Sequence, residues 1–366
     1  MLTPQLIADA PPICGASVEE LGRDQKGGAS AAVKCVNHVA AQLSTDSLKD
    51  VDGDQLTGVG FPLMDQIKLT AELLAEGWGF SELDRMARVG EVQRIRRGAY
   101  ECAPAKSLER REQHRRLITA TLRQTSVDAA VSHMSAAVLH QLPIWNNELA
   151  RVHITRDGCG GGKVRRYVHL HVAPLPGADV CEIDGQQVTT MARTVFDLLR
   201  TLTMERSVPI GDAALRLGLT LEDLSEVAGR CIGWRGMLQA RRAMNFLDPR
   251  SESAGESYSR VVFHRMGLLA PVPQYEVWDG RVRVGRADFC WEKFRTLGEF
   301  DGKEKYGRLL KPGQTAADAV FEEKRREDAL RDLGWQIVRW IWQDLYHPEE
   351  LRRRLERAFE RGLRAA

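Results

Sequence analysis

The segment from residue 256 onward alternates between helical and extended patterns in an order that few folds share. Apolar residues first recur at helical spacing, and β-prone runs follow. Asp279–Gly280, between the first two of these runs, is the strongest short signal for a tight hairpin. The order is therefore α-β-β-β-α-β-α. The predicted elements are a helix at 256–267, strands at 274–278, 281–291 and 297–302, a helix at about 318–333, a strand at 335–341 and a last helix from Pro348.

A second pattern lies in the first third of the chain and predicts two helices and a hairpin. Apolar residues at helical spacing begin at Leu63 and stop at Gly77. A second helix is predicted over 81–89, with Gly90 as its C-terminal residue. The β-prone run 92–101 contains Gly98 and fits a short hairpin. Two helices joined by a short turn and followed by a hairpin indicate a winged helix-turn-helix.

Positive charge is concentrated around this predicted unit. Residues 85–116 carry ten Lys/Arg and four acids, whereas residues 1–60 carry eight acids and four bases. A local basic block in a balanced protein predicts a polyanion-binding surface, and double-stranded DNA is the expected partner. A solvated basic face on a protein-docking domain is the alternative. The arginines predicted to contact DNA are Arg85, Arg88, Arg94, Arg96 and Arg97.

The middle of the chain reads as a mixed α/β region. Strands are predicted at 151–155 and 167–172, with the glycine-rich run 158–162 as the hairpin loop between them. Helices are predicted at 107–124 and 189–200, and the region 206–250 also reads as helical. Five histidines fall here, and we interpret them as structural because no carboxylate accompanies them in a ligand pattern. His169 and His171, which share one strand face, leave metal binding open as the alternative. The five are His133, His140, His153, His169 and His171.

Carboxylates near the ends of the predicted C-terminal strands suggest a metal site. Glu299 and Asp301 are two residues apart on one strand, Asp288 ends the neighbouring strand, and Glu256 on the preceding helix can reach the same place. Converging carboxylates repel one another unless a cation binds, and oxygen ligands suit Mg²⁺ or Mn²⁺. Such a metal would activate water for attack on a phosphodiester. A solvated acidic strand end is the alternative. The predicted metal ligands are Asp288, Glu299 and Asp301, and the predicted further catalytic residues are Glu256, Lys303, Lys305 and Arg326.

Length and composition limit the remaining classes. The 366 residues are enough for two or three domains. The seven cysteines are scattered, with no CxxC pair, which favours a reducing cytoplasm over a disulfide scaffold. No run is apolar enough for a membrane helix, and the first residues do not read as a signal peptide. The expected division is a poorly ordered extension at 1–60, a winged helix at 61–105, an α/β domain at 106–248 and a C-terminal domain at 249–366.

The C-terminal motifs resemble the very-short-patch-repair-like endonuclease branch of the PD-(D/E)xK restriction-endonuclease-like superfamily. They are GRADFCW (285–291), GEFDGKEK (298–305) and KRREDALRDLGWQIVR (324–339). The resemblance covers about 250–350 and implies an αβββαβ core that cuts DNA with Mg²⁺. It implies Asp288 and Glu299 as metal ligands and Glu256 as an accessory acid. Asp301 stands where the superfamily usually has lysine, and Lys305 follows.

The region 63–245 is similar to the AbiEi-type antitoxins of type IV toxin–antitoxin systems. The motifs are LTAELLAEG (69–77), SELDRM (81–86), RIRRGAY (94–100), SHMSAAVLHQLP (132–143) and VTTMARTVFDLLR (188–200). This resemblance implies a winged helix that binds operator DNA and a possible toxin partner. Two functions follow from the two resemblances. One is a DNA-targeted, Mg²⁺-dependent endonuclease in phage defence or DNA repair. The other is a non-catalytic regulator or antitoxin whose nuclease-like domain only binds DNA or a partner.

Overall fold

Three sheets with helices packed against them organise the part of the chain that the structure describes. The structure, a computed structural model, describes residues 67–102, 108–125, 128–145, 149–302 and 316–365. The expected mixed α/β class is therefore confirmed. Among these residues, none of the helices combines the length and the apolar composition that a membrane crossing requires. The predicted extension at 1–60, the first residues of the predicted helix from Leu63, and Lys303 and Lys305 lie outside the described residues.

Two short helices and a hairpin form the first unit. Helix α2 buries Leu83 and Met86. Gly90 follows its last residue, as predicted, and has a left-handed backbone with φ +79°. Strand β3 pairs with β1 and β2 to give a three-stranded antiparallel sheet. The first helix is shorter than predicted, because Lys68 and Leu69 are extended and pair with β3. The elements are β1 (Lys68–Leu69), α1 (Thr70–Ala75), α2 (Phe80–Val89), β2 (Val92–Arg96) and β3 (Ala99–Cys102).

The middle region contains a six-stranded sheet in the order β6-β7-β5-β4-β9-β8. Its elements are α3 (Arg110–Arg123), β4 (Ala130–Val131), α4 (His133–Leu139), β5 (Val152–Arg156), β6 (Lys163–Val164), β7 (Val168–Val172), β8 (Val180–Ile183) and β9 (Gln186–Thr189). The prediction of a hairpin loop at 158–162 is wrong, because β5 and β7 are parallel. The glycines instead lead into β6, which pairs antiparallel with β7. A Cβ on Gly162 would overlap the Leu170 carbonyl, so this close approach requires glycine.

Four helices pack together with α4 and enclose a large apolar core. They are α5 (Met191–Thr201), α6 (Met204–Arg216), α7 (Leu221–Arg230) and α8 (Met237–Met244). The first of them carries a buried ion network. Arg193 donates to Asp179 at 2.7 Å and to Asp197 at 2.9 Å, and all three side chains are buried. Arg200 donates to Asp197 at 2.8 Å, and its guanidinium lies 5.1 Å from the ring of Trp234. The network ties α5 to the loop before β8.

The last unit is built on a four-stranded sheet in the order β10-β11-β12-β13, in which the first two pairs are antiparallel and β12 is parallel to β13. Helices α9 and α12 pack on its aromatic face with Phe263, Trp291 and Trp340, and α10 packs on the other face. The elements are α9 (Ala254–Arg265), β10 (Val272–Asp279), β11 (Val282–Trp291), β12 (Thr296–Phe300), α10 (Ala316–Asp332), β13 (Gln336–Trp340), α11 (Trp342–Tyr346) and α12 (Pro348–Ala365). The predicted order of elements in this segment is observed, with one additional short helix, α11, before the last helix.

Candidate functional site

The first unit exposes most of the arginines that the sequence predicted to contact DNA. Helix α2 turns Leu83 and Met86 inward, which leaves Arg85 and Arg88 on the solvent side. Arg94 on β2 and Arg97 in the β2–β3 turn are also exposed. The nearest carboxylate contact of Arg85 is long, at 4.0 Å to Glu91. These four guanidinium groups, which we call the arginine surface, are accessible to an anionic partner.

Arg96 departs from the prediction because it points into the protein. Its Nη1 donates to Thr121 Oγ1 at 2.5 Å, and its guanidinium carbon lies 5.6 Å from the centre of the Tyr167 ring. Burial lowers the pKa of Arg96, and the Tyr167 hydroxyl acts in the opposite direction. Arg96 therefore joins β2 to α3 and to the middle sheet. The register of β2 with β3 shifts between Arg94 and Arg96, so these two arginines do not share a face as they would in a regular strand.

Two arginines that the sequence analysis did not single out lie beside this contact. Arg166 stacks on Tyr167, with its guanidinium carbon 5.1 Å from the ring centre, so the ring has an arginine contact from each of two elements. Arg165 is exposed, and its carbonyl accepts a hydrogen bond from Arg151 Nε at 3.2 Å. The signal that could have found them is the Arg-Arg-Tyr tripeptide at 165–167, next to the start of β7.

Glu256 forms part of the beginning of α9. The helix starts at Ala254, with Ser253 as N-cap, so Glu256 does not open the helix as predicted. Its carboxylate accepts hydrogen bonds from the Glu252 N–H at 2.8 Å, from Ser253 Oγ at 2.7 Å and from Gln274 Nε2 at 2.8 Å. Helix α9 packs on the aromatic face of the sheet with Phe300. Glu299 alternates with Phe300 and points to the opposite face, so the structure does not unite these two acids.

Asp288 and Glu299 are the two acids that the sheet does bring together. The register that pairs Phe289 with Gly298, extended by one residue, sets Asp288 next to Glu299. Asp288 Oδ2 accepts the N–H of Phe300 at 2.8 Å. This part of the predicted arrangement follows directly from the register of β11 and β12.

Glu299 is enclosed by two arginines. Arg326 Nη2 on α10 donates to its Oε1 at 2.7 Å, and Arg339 Nε on β13 donates to its Oε2 at 2.7 Å. The same arginines bind Glu323 and Glu327 of α10. Burial alone would lower the pKa of Arg326, but the hydrogen bond to Glu323 and the charge of Glu299 raise it. The premise that the acids lack neutralising bases is therefore wrong, and Arg339 is the residue that sequence reasoning missed.

Asp301 lies just beyond β12, and its N–H donates to the Trp340 carbonyl at 2.8 Å. It lines an open groove of about 490 Å³ together with Arg354, Arg357 and Arg361 of α12. The groove is rich in arginine on the side of the sheet that carries α12. Arg339, which binds Glu299, also lines this groove, so Glu299 and Asp301 share one arginine neighbour.

These carboxylates do not fit a Mg²⁺ site as they are arranged. Both oxygens of Glu299 already accept charge-assisted hydrogen bonds, and a metal would have to displace them. Among the described residues, His133, His153 and His171 place one donor atom each within 4.8 Å of one another, whereas Asp288, Glu299 and Asp301 do not. Imidazole nitrogens are not the ligands that Mg²⁺ prefers.

The chain belongs to the same family as two mycobacterial proteins. It is 30% identical over 204 residues to "Uncharacterized protein Rv2248" of Mycobacterium tuberculosis strain H37Rv and to "Uncharacterized protein MT2308" of strain CDC 1551 / Oshkosh. The match covers 55% of this chain and 72% of each relative. No protein-family model matches the chain.

A solved structure, described as the crystal structure of RV2827C protein from Mycobacterium tuberculosis, also matches. Its TM-score is 0.34 and its sequence identity is 14%, and the match covers 58% of this chain and 83% of that one. At this score the likeness carries no argument about the fold.

Proposed function

We propose that this protein is a DNA-binding regulator of the antitoxin kind, in which the unit at 67–102 is a winged helix and the C-terminal unit does not cleave DNA. The observation that carries the proposal is the arginine surface. Arg85 and Arg88 on α2 would face the major groove, and Arg94 and Arg97 on the hairpin would contact phosphates. Arg165 and Arg166 extend the same positive surface onto the middle sheet.

The ion pairs of Glu299 support the proposal that the C-terminal unit does not cleave DNA. A nuclease of the metal-dependent kind needs carboxylates available to a cation, whereas Glu299 is held by Arg326 and Arg339. The similarity of the 69–100 and 132–200 motifs to AbiEi-type antitoxins supports repression of an operator. On the same grounds, a toxin is a possible protein partner.

A Mg²⁺- or Mn²⁺-dependent endonuclease is the second candidate. It is favoured by the αβββαβ order of α9 to β13 and by the register that sets Asp288 next to Glu299. In this candidate Arg326 and Arg339 would have to release Glu299 before a metal could bind. Lys303 and Lys305 keep their predicted roles toward the phosphate only here.

Fluorescence anisotropy with a mixed-sequence duplex tests DNA binding across salt from about 50 to 300 mM. The logarithm of the association constant should fall by about 0.9 per phosphate contact for each tenfold rise in salt. Replacing Arg94 and Arg97 together by alanine should flatten that slope by roughly one to two units. The matched control replaces the exposed pair Arg241 and Arg242 on α8, which removes the same charge elsewhere. Equal slopes in the two double variants would contradict the proposed surface.

Supercoiled plasmid incubated with Mg²⁺, Mn²⁺ or EDTA separates the two candidates. The regulator leaves the plasmid intact under all three conditions. Nicking that needs the metal and disappears in Asp288→Asn would contradict the regulator proposal and support the endonuclease. Nicking that persists in Asp288→Asn would identify a contaminating nuclease.

A further inference from the structure

Four histidines from three elements meet on one face of the middle sheet. His153 lies on β5, His169 and His171 lie on β7, and His133 is the first residue of α4. The parallel register pairs His153 with His169 and Thr155 with His171. Residues two apart on a strand share a face, so His169 and His171 lie on the same face of β7, next to His153 on β5. His133, at the start of α4, adds the fourth ring. The chain brings them together from positions far apart in sequence.

Three of these rings offer ring nitrogens to a common centre. Nδ1 of His153 lies 3.0 Å from Nε2 of His171, and the His133 ring stacks on His171 with centroids 3.7 Å apart. One donor atom from each of the three falls within 4.8 Å of the other two. With Zn–N bonds of 2.0–2.1 Å and tetrahedral angles, two ligand nitrogens on one zinc ion are about 3.3 Å apart. The 3.0 Å between the His153 and His171 nitrogens is close to this value, and the donor atoms of all three rings lie within 4.8 Å of one another.

The second observation is an unpartnered nitrogen in the interior. His133 is only 3% exposed, and its Nε2 has no hydrogen-bond partner. Its other nitrogen, Nδ1, lies 3.0 Å from Ser132 Oγ. Metal-bound histidines commonly use their second nitrogen in this way, which fixes the ring and its tautomer. His133 also adopts φ +49°, a conformation that non-glycine residues rarely occupy and that the surroundings must maintain.

Two other buried histidines show what a purely structural role looks like here. His114 places Nδ1 3.0 Å from the Leu149 carbonyl and Nε2 2.9 Å from Ser135 Oγ. His140 places Nε2 2.8 Å from the Thr189 carbonyl. Their polar atoms find oxygen partners, whereas the three clustered rings face one another. His153 and His171 place ring nitrogens within hydrogen-bonding distance of each other, but His133 Nε2 has no partner, so the need to satisfy buried imidazoles does not account for His133.

We propose that His133, His153 and His171 form a binding site for Zn²⁺ or for another divalent ion with the same preference for imidazole, such as Co²⁺. Three imidazoles suit a tetrahedral ion and leave a fourth position for water. The ion would fasten the start of α4 to β5 and β7. The proposal is independent of DNA binding and of the acidic residues in the C-terminal unit. It replaces, for these three residues, the interpretation of the histidines as structural.

Three arginines and one aspartate act on the site: Arg151, Arg193, Arg200 and Asp197. Burial lowers the pKa of His153 and of His133, and the positive charge of Arg151 acts in the same direction on His153. The positive charges of Arg193 and Arg200 on α5 also lower the pKa of His133, and Asp197 forms ion pairs with both arginines.

Calorimetry on EDTA-treated, metal-free protein tests the site, with ZnCl₂ and MgCl₂ as the probes. We expect one Zn²⁺ per chain and no Mg²⁺ binding. His153→Gln and His171→Gln should each weaken Zn²⁺ binding at least about 100-fold, since each removes a ligand. Ser132→Ala should weaken it about 10-fold or more, because it removes the partner of His133 Nδ1. His347→Gln, on the exposed surface, is the matched control and should bind as the unmodified protein does.

A second readout keeps the test decisive if a histidine variant does not fold. Co²⁺ added to the unmodified protein should give the visible bands of a tetrahedral site without the ultraviolet band of cobalt–thiolate bonds, which separates this site from cysteine ligands. Absence of a one-to-one Zn²⁺ complex in the unmodified protein overturns the proposal. So does Zn²⁺ affinity that is unchanged in folded His153→Gln and His171→Gln, or a thiolate band in the cobalt spectrum.

Discussion

Neutralising Glu299 tests whether this carboxylate stabilises the fold through its two arginines or is available to bind a metal. In Glu299→Gln the side chain keeps its shape and one acceptor, but loses the charge that Arg326 and Arg339 bind at 2.7 Å. Glu299 is 14% exposed, and its partners are 24% and 36% exposed. The pair energies therefore lie between those of surface pairs, up to about 1 kcal/mol, and those of broken buried pairs, about 3–5 kcal/mol. We expect the free energy of unfolding to fall by about 2 kcal/mol.

Urea unfolding followed by tryptophan fluorescence measures this loss, since Trp291 and Trp340 lie in the core of the C-terminal unit. The matched control is Glu276→Gln on β10, whose bond to Arg283 is 3.0 Å long but joins groups that are 44% and 48% exposed. That variant should lose less than about 0.5 kcal/mol. An unneutralised acid cluster predicts the opposite sign, because removing one charge relieves repulsion. A neutral or stabilising Glu299→Gln would therefore refute the arginine-bound arrangement.

Two further predictions concern the middle region. Asp197→Asn should cost about 3–5 kcal/mol in urea unfolding, because it leaves Arg193 and Arg200 without their shared buried carboxylate. His114, whose pKa burial lowers to about 4, should make stability fall as the pH drops below about 6.5, since the unfolded chain takes up a proton there and the folded chain does not. The stability that His114 contributes is present above about pH 6.5 and is lost at about 1.4 kcal/mol per pH unit toward pH 4. Urea unfolding at several pH values should show this loss in the unmodified protein but not in His114→Gln. An equal pH slope in both proteins would refute the prediction.

Elements with a strong local signal could be predicted from the sequence. Asp279–Gly280 determines the β10–β11 hairpin through its own turn preference, and Gly90 ends α2 because it accepts a left-handed backbone. The helix predicted at about 318–333 is observed at Ala316–Asp332. It could be predicted because its sequence has a continuous helical pattern between residues that break helices. These signals depend on neighbours within a few residues, so they are visible in the chain itself.

Partners that meet through sheet order could not be predicted in this way. Glu299 and Arg339 are 40 residues apart and face each other only because β12 and β13 are parallel in one particular register. His153 and His171 meet for the same reason, since β5 is parallel to β7 and not joined to it by the predicted hairpin. Alternation of side chains along a strand shows which residues share a face, but not which strand lies next to it. The candidate sites therefore depended on long-range pairing.

The acidic residues of the C-terminal unit show how one fold can carry opposite functions. The β11–β12 register, extended by one residue beyond Phe289 and Gly298, places Asp288 next to Glu299. Whether that pair holds a cation depends on the residue that β13 presents beside it. Here the residue is Arg339, which neutralises Glu299 with a guanidinium that stays protonated at every physiological pH. A bound metal and the Arg339 pair compete for the same oxygen, and only the arginine is already attached to the chain. The non-catalytic part of the regulator proposal therefore depends on Arg339 and Arg326 more than on the acids themselves.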